Sequence, residues 1–179
     1  MSPFPIRRSA LPAAARTATA LLAALLLSAC SGSSSVHVAV PAPSGAAAKQ
    51  CAELKAALPR TLGGKTVRTV SPASAYTAAW GSPAITLRCG VPEPGVLDPS
   101  SPAYDPTGTN SSALDLNGLC WVSENLTGGA YRFTTIKQQA YVEVDVPAAY
   151  QGDESPLPGL TGPVLRTDPV GTANPFACA

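Results

Sequence analysis

An α+β fold, a mostly antiparallel sheet packed by an N-terminal helix and stapled by disulfides, is predicted by three features of this sequence. An apolar stripe with helical spacing occurs early, at Cys51, Leu54 and Leu58. Short alternating segments divided by turn residues follow, among them Leu114-Asp115-Leu116-Asn117-Gly118-Leu119-Cys120-Trp121 with a two-residue Asn-Gly turn. After Cys30, four more cysteines, Cys51, Cys89, Cys120 and Cys178, are spread along the chain without a Cys-x-x-Cys, the even count of an exported, disulfide-bonded protein.

Export is written at the N-terminus. Arg7, Arg8 and Arg16 precede an apolar run over residues 18–27, and Leu27-Ser28-Ala29-Cys30 reads as a bacterial lipobox. This order of charged, apolar and small residues predicts a signal peptide over residues 1–29, with Cys30 lipidated and left as the first residue. The run is too short for the ~20 apolar residues of a spanning helix, so the expected attachment is by lipid. Two acyl chains hold a protein stably where one does not, which fits a diacylated Cys30. Arg7-Arg8 raises the twin-arginine route, but Ala10-Leu11 supplies only half of the hydrophobic pair expected after it, which favours general secretion. Residues 30–35 read as a lipidated tether and 36–179 as a single α+β domain with an irregular C-terminal tail.

Within that domain the elements follow in order. Val36, Val38 and Val40 alternate with His37 and Ala39, a short strand stopped by Pro41. Were residues 31–48 unstructured, their r.m.s. reach would be roughly 20–25 Å. Residues 46–58 form the predicted helix, with Ser44 as cap and Pro59 as stop. Gly63-Gly64 turns into a strand over residues 66–70, and residues 84–89 form another, with Ile85, Leu87 and Cys89 on its apolar face. Residues 92–112, rich in Pro, Asp, Ser and Gly, read as a long surface loop. In the Asn-Gly hairpin Leu114 opposes Trp121 and Leu116 opposes Leu119, all facing the core, while Asp115 and Cys120 face away.

A second hairpin spans residues 131–146. With Gln138-Gln139 at its tip, Phe133 opposes Val144 and Arg132 opposes Asp145, so that Arg132, Thr134, Glu143 and Asp145 share one face. Beyond Pro147 a short helix over residues 160–165 is expected. The cysteine faces favour Cys51 with Cys89 and Cys120 with Cys178, the two other pairings remaining open.

Without the three signal-peptide arginines the chain holds nine Lys and Arg against eleven Asp and Glu, which argues against nucleic acid and against a basic lipid-binding surface. Scarce lysine beside abundant alanine, proline and threonine points to a high-GC genome.

Cys51-Ala52-x-Leu54 with Leu58-Pro59, Ala79-Trp80-Gly81-x-Pro83, Leu87-Arg88-Cys89-Gly90 and Tyr141-Val142-x-Val144-x-Val146-Pro147 together resemble an actinobacterial family of secreted or lipid-anchored proteins, domain of unknown function 3515. The resemblance spans residues 36–147. It implies an envelope location and a Cys51–Cys89 bridge, and it brings neither an activity nor a catalytic residue.

For chemistry the candidates are few. His37 is the only histidine and no Gly-x-Ser-x-Gly occurs, so a serine nucleophile has no base. Glu143 and Asp145 on one strand face are the one carboxylate pair suited to acid–base work, although an exposed face opposite Arg132 explains them without chemistry. Asp98, Asp105 and Asp115 match no calcium-loop spacing and read as turn residues. Trp121 is assigned to the core, whereas Trp80, in Ala-Ala-Trp-Gly-Ser-Pro, opens a turn and is a candidate ligand platform. No metal and no cofactor is expected. The predicted function is a non-catalytic binding or scaffolding lipoprotein on the extracytoplasmic face of the cell membrane, with an envelope protein or ligand as partner. The alternatives are a small cell-wall-modifying enzyme using Glu143 and Asp145, and a carrier or sensor of a small apolar ligand.

Overall fold

The computed structural model of the protein describes residues 34–150, 156–170 and 178. Cys30, the signal peptide and most of the C-terminal tail lie outside the described residues. The elements are β1 (Val36–His37), α1 (Gly45–Ala57), β2 (Thr61–Leu62), β3 (Lys65–Arg68), β4 (Val70–Ser71), β5 (Thr77–Trp80), β6 (Ile85–Val91), β7 (Ser111–Leu116), β8 (Leu119–Asn125), β9 (Tyr131–Thr135), β10 (Tyr141–Val146) and α2 (Pro158–Thr167), besides two short 3-10 turns. Eight strands form one antiparallel sheet in the order β2-β3-β5-β6-β10-β9-β8-β7, and β1 pairs in parallel with β4. The fold is α+β.

Both hairpins have the register that turn chemistry and alternation dictate. Asn117 (φ 58°) and Gly118 (φ 82°) are both left-handed, the conformation a two-residue type I′ turn requires. That turn sets Leu114 opposite Trp121 and Leu116 opposite Leu119. Across β9 and β10, Phe133 faces Val144 and Arg132 faces Asp145.

Helix α1 begins after Ser44, but the Ser44 hydroxyl makes no capping bond; only its carbonyl engages, accepting from the Ala48 N–H at 3.4 Å. The helix stops where Leu58 turns extended ahead of Pro59. Its Cys51 and Leu54 are fully buried against the sheet. The later helix is longer than its apolar pattern implied: α2 takes in Pro158, which suits a first helical turn, and buries Leu160, Thr161 and Val164. The core therefore lies between one sheet face and two helices. Trp80, Trp121, Ile85, Leu87, Val142, Val144 and Leu157 fill it.

The strand expected at Val36 forms: Val36 donates to the Thr69 carbonyl at 2.8 Å and Val38 is buried. Two expectations need correction. Ser111 and Ser112 belong to β7 rather than to the loop, because Asn125 and Glu124 across the ladder extend the pairing. Trp80 leads into the turn at residues 81–84 but is buried and offers no platform. It ends β5, a fully buried interior strand, and its indole Nε1–H donates to the Pro59 carbonyl at 2.9 Å. Thr77-Ala78-Ala79-Trp80 lacks the alternation of a half-exposed strand because both of its faces are covered.

Two disulfides join the pairs that the cysteine faces favour. Cys51 on α1 bonds Cys89 on β6 inside the core, and Cys120 on β8 bonds Cys178 on the opposite face. Gly90 follows at φ 83°, and a Cβ there would lie 2.5 Å from the Pro43 Cβ. Only glycine allows the segment leading into α1 to lie that close to β6.

Candidate functional site

The sheet face turned away from the helices carries the predicted polar residues, and strand alternation places them there. Thr86 and Arg88 on β6, Glu143 and Asp145 on β10, Arg132 and Thr134 on β9, and Glu124 on β8 all point to this side. Their side chains form a ladder across the strands. Arg88 Nη2 lies 2.6 Å from Glu143 Oε1, and Arg132 Nε lies 3.2 Å from Glu143 Oε2. Arg132 also holds Asp145 through two parallel bonds, Nε to Oδ1 at 2.8 Å and Nη2 to Oδ2 at 2.9 Å. This bidentate pairing with Asp145, against the opposing effect of burial, pushes the Arg132 guanidinium further above its ordinary range.

Glu143 is not on an exposed face. It retains 6% of its surface because the Pro92–Gly95 stretch of the long loop folds over it. Val91, Glu93, Pro94, Arg88, Arg132 and Glu124 help to enclose a cleft of about 160 Å³ there. On one wall the Tyr141 hydroxyl donates to Glu93 Oε1 at 3.3 Å; burial, then the Glu93 charge, raises the phenol above its usual range. On another wall Glu124 stands opposite Arg132 in register, yet Arg132 turns to Asp145 and Glu143 instead. Desolvation, only partly offset by the Arg132 charge, raises the Glu124 carboxyl.

Beside this charged cleft the same loop covers a second, larger one of about 290 Å³ between it and β7–β8. Val96 packs with Cys120, Val122 and Ile136 as a small core of its own, and Tyr104 and Pro106 form the outer lip. Asp105 organises the loop. Its carboxylate accepts from the backbone of Thr109 (3.0 Å) and Asn110 (2.8 Å) and from the Ser111 hydroxyl (3.0 Å). The Asn110 and Thr109 bonds lower its pKa to about 2. Asp98 accepts likewise from Ser100, and Asp115 from the Gly118 N–H. The three aspartates thus serve their own turns. Among the described residues, no group of three or more His, Cys, Asp or Glu side chains is arranged to hold a metal ion.

The structure brings Arg132, Glu143 and Asp145 together with Arg88, whose part in the ladder sequence reading missed; its position opposite Glu143 follows once β6 and β10 are paired. It separates Trp80, which is fully buried in the core and presents no platform. His37 is exposed in β1, and Cys178 reaches β8 from the tail, its Sγ 3.3 Å from the Leu114 carbonyl.

What these features define is a disulfide-stapled α+β domain with a polar sheet face roofed by a long, internally bonded loop. The chain belongs to the family described as protein of unknown function (DUF3515), whose model matches residues 9–171. The match runs past Pro147 and takes in α2, so the second helix lies within the family's span. No curated protein and no solved structure matches the chain.

Proposed function

We propose that this protein is a lipid-anchored lipoprotein of the cell envelope whose domain is a non-catalytic binding or scaffolding module, with the loop-roofed sheet face as its recognition surface. The observation that carries the reading is the engagement of both candidate carboxylates: Glu143 is paired with Arg88 and Arg132, and Asp145 is held bidentately. Each is engaged by a guanidinium, which leaves neither free as the acid or base that glycoside hydrolysis uses. A carrier of apolar ligands is disfavoured by the filling between helices and sheet, where Trp80, Trp121, Leu54 and Leu160 are all fully buried.

The lipobox at Leu27-Ser28-Ala29-Cys30 supports the anchor. Large exposed apolar side chains are scattered over Val40, Val67, Tyr104, Leu165 and Val170, which counts against an apolar docking patch and in favour of recognition in the clefts under residues 92–110. The test is crosslinking of the intact protein in living cells, with mass spectrometry of what is captured. One dominant envelope protein, lost on Tyr104→Glu or Glu124→Arg, is the expected result. Capture of nothing above background would remove the scaffolding reading.

A further inference from the structure

The turn that sets the first hairpin also carries a reactive pair. Asn117 and Gly118 are both exposed, and among the described residues Asn117 is the one non-glycine with a left-handed φ, 58°. The Gly118 main-chain nitrogen and the Asn117 side-chain Cγ are placed along the chain so that they can close a succinimide ring. Glycine has no Cβ to crowd that nitrogen. The space around it is open to water: a Cβ at Gly118 would meet nothing within 4 Å among the described residues.

The fold holds the attacking nitrogen. Asp115 Oδ1 accepts the Gly118 N–H at 2.9 Å, so one bond ties the end of β7 to that atom. To attack, the nitrogen must turn toward Cγ and shed its proton, and both changes break the bond to Asp115. The paired left-handed dihedrals that set Leu116 opposite Leu119 resist the same rotation.

We propose that Asn117-Gly118 is a site of spontaneous covalent modification and that Asp115 guards it, so that conversion follows opening of the β7–β8 turn. In the step, the Gly118 nitrogen attacks the Asn117 Cγ. The N–Cγ bond forms, the Cγ–Nδ2 bond breaks, and ammonia leaves with the amide proton. Water then opens the succinimide at either carbonyl, giving aspartate or isoaspartate at 117. Isoaspartate routes the main chain through the side-chain carbon, and the added methylene does not fit a two-residue type I′ turn. The strand that this turn registers is the edge strand of the sheet. Its Ser111, Ser112 and Ala113 line the larger cleft under the loop, and its Leu116 carbonyl accepts the Thr161 hydroxyl of α2 at 3.3 Å. Conversion therefore loosens a wall of that cleft.

The test follows the full-length protein in near-neutral buffer and, in parallel, in concentrated urea. The peptide around the turn is read by mass spectrometry, with isoaspartate identified by enzymatic methyl-ester labelling. The folded wild type is expected to convert more slowly than the same chain in urea. Folded Asp115→Ala should convert about tenfold faster than folded wild type, the factor that one charge-assisted hydrogen bond gives. In urea the two should convert at one rate. Asp115→Asn keeps an oxygen acceptor without the charge and should fall between them when folded; it carries the test if Asp115→Ala does not fold. Folded variants that convert no faster than the wild type overturn the role of Asp115. A wild type that converts equally fast folded and in urea, or in neither, overturns the site. In the purified isoaspartate form, hydrogen exchange should quicken in β7 while β6 and β10 keep their protection; unchanged β7 protection overturns the effect on the cleft wall.

Discussion

The carboxylate of Asp168, just past the end of α2, accepts the backbone N–H of Ala140 at the start of the β10 limb, at 3.1 Å, and that of Gln139 at the same distance. With the Gln138–Val170 bridge, this fastens the second helix to the tip of the β9–β10 hairpin. Asp168 keeps 1% of its surface.

Burial raises the Asp168 carboxyl to about 6, against the opposing pull of the two N–H donors. An acid that binds its proton more tightly when folded makes folding less favourable as pH rises from about 4 to about 6, with no further change above. The size of that loss is on the order of 3 kcal/mol. Urea titrations across this window are expected to show the slope in the wild type and a flatter line for Asp168→Asn. Asp168→Ala, which leaves the Ala140 N–H buried and unpaired, should cost most near pH 4 and correspondingly less above about pH 6, where the wild type has already lost the protonated form's stability.

The two tryptophans should respond differently to the same change. Trp80 donates to the Pro59 carbonyl, whereas the Trp121 indole N–H is buried with no partner among the described residues. Trp80→Phe removes a hydrogen bond and strands a carbonyl; Trp121→Phe removes an unsatisfied donor. Chemical denaturation should find Trp80→Phe the more destabilising by about 1–3 kcal/mol.

Removing the core disulfide should be costly. The Cys51–Cys89 bridge spans a sequence separation of 38 residues, worth roughly 4 kcal/mol in the chain-entropy account. The Cys51→Ala, Cys89→Ala double variant is expected to unfold at correspondingly lower denaturant concentration. Its unfolding should also be insensitive to reductant added at levels that leave Cys120–Cys178 intact.

Glu143→Gln leaves Arg88 with no acid partner at a largely buried site. Because Arg88 and Arg132 still reach water, the expected loss is about 1–3 kcal/mol, less than for a fully buried pair. Adding Arg88→Gln should cost less in this background than alone, with a coupling of about 1 kcal/mol in a double-mutant cycle. Additive losses would mean the two side chains do not support each other.

What was legible in the sequence was whatever a few neighbouring residues decide. Asn117-Gly118 set one hairpin's register, the apolar alternation of residues 131–146 set the other, and the second placed Arg132 beside Asp145 before any tertiary contact was known. The stripe Cys51-Leu54-Leu58 marked α1 and, with the strand face of Cys89, the first disulfide. The tertiary structure alone decided the rest. Strand β5 is alanine-rich and covered on both sides, so it carries no local period, and its burial comes from strands far along the chain. Glu143 is buried only because Pro92–Gly95, some fifty residues earlier, folds over it. Turn geometry and side-chain alternation act over a few bonds, whereas burial and electric field sum over contacts that exist only once the sheet has assembled.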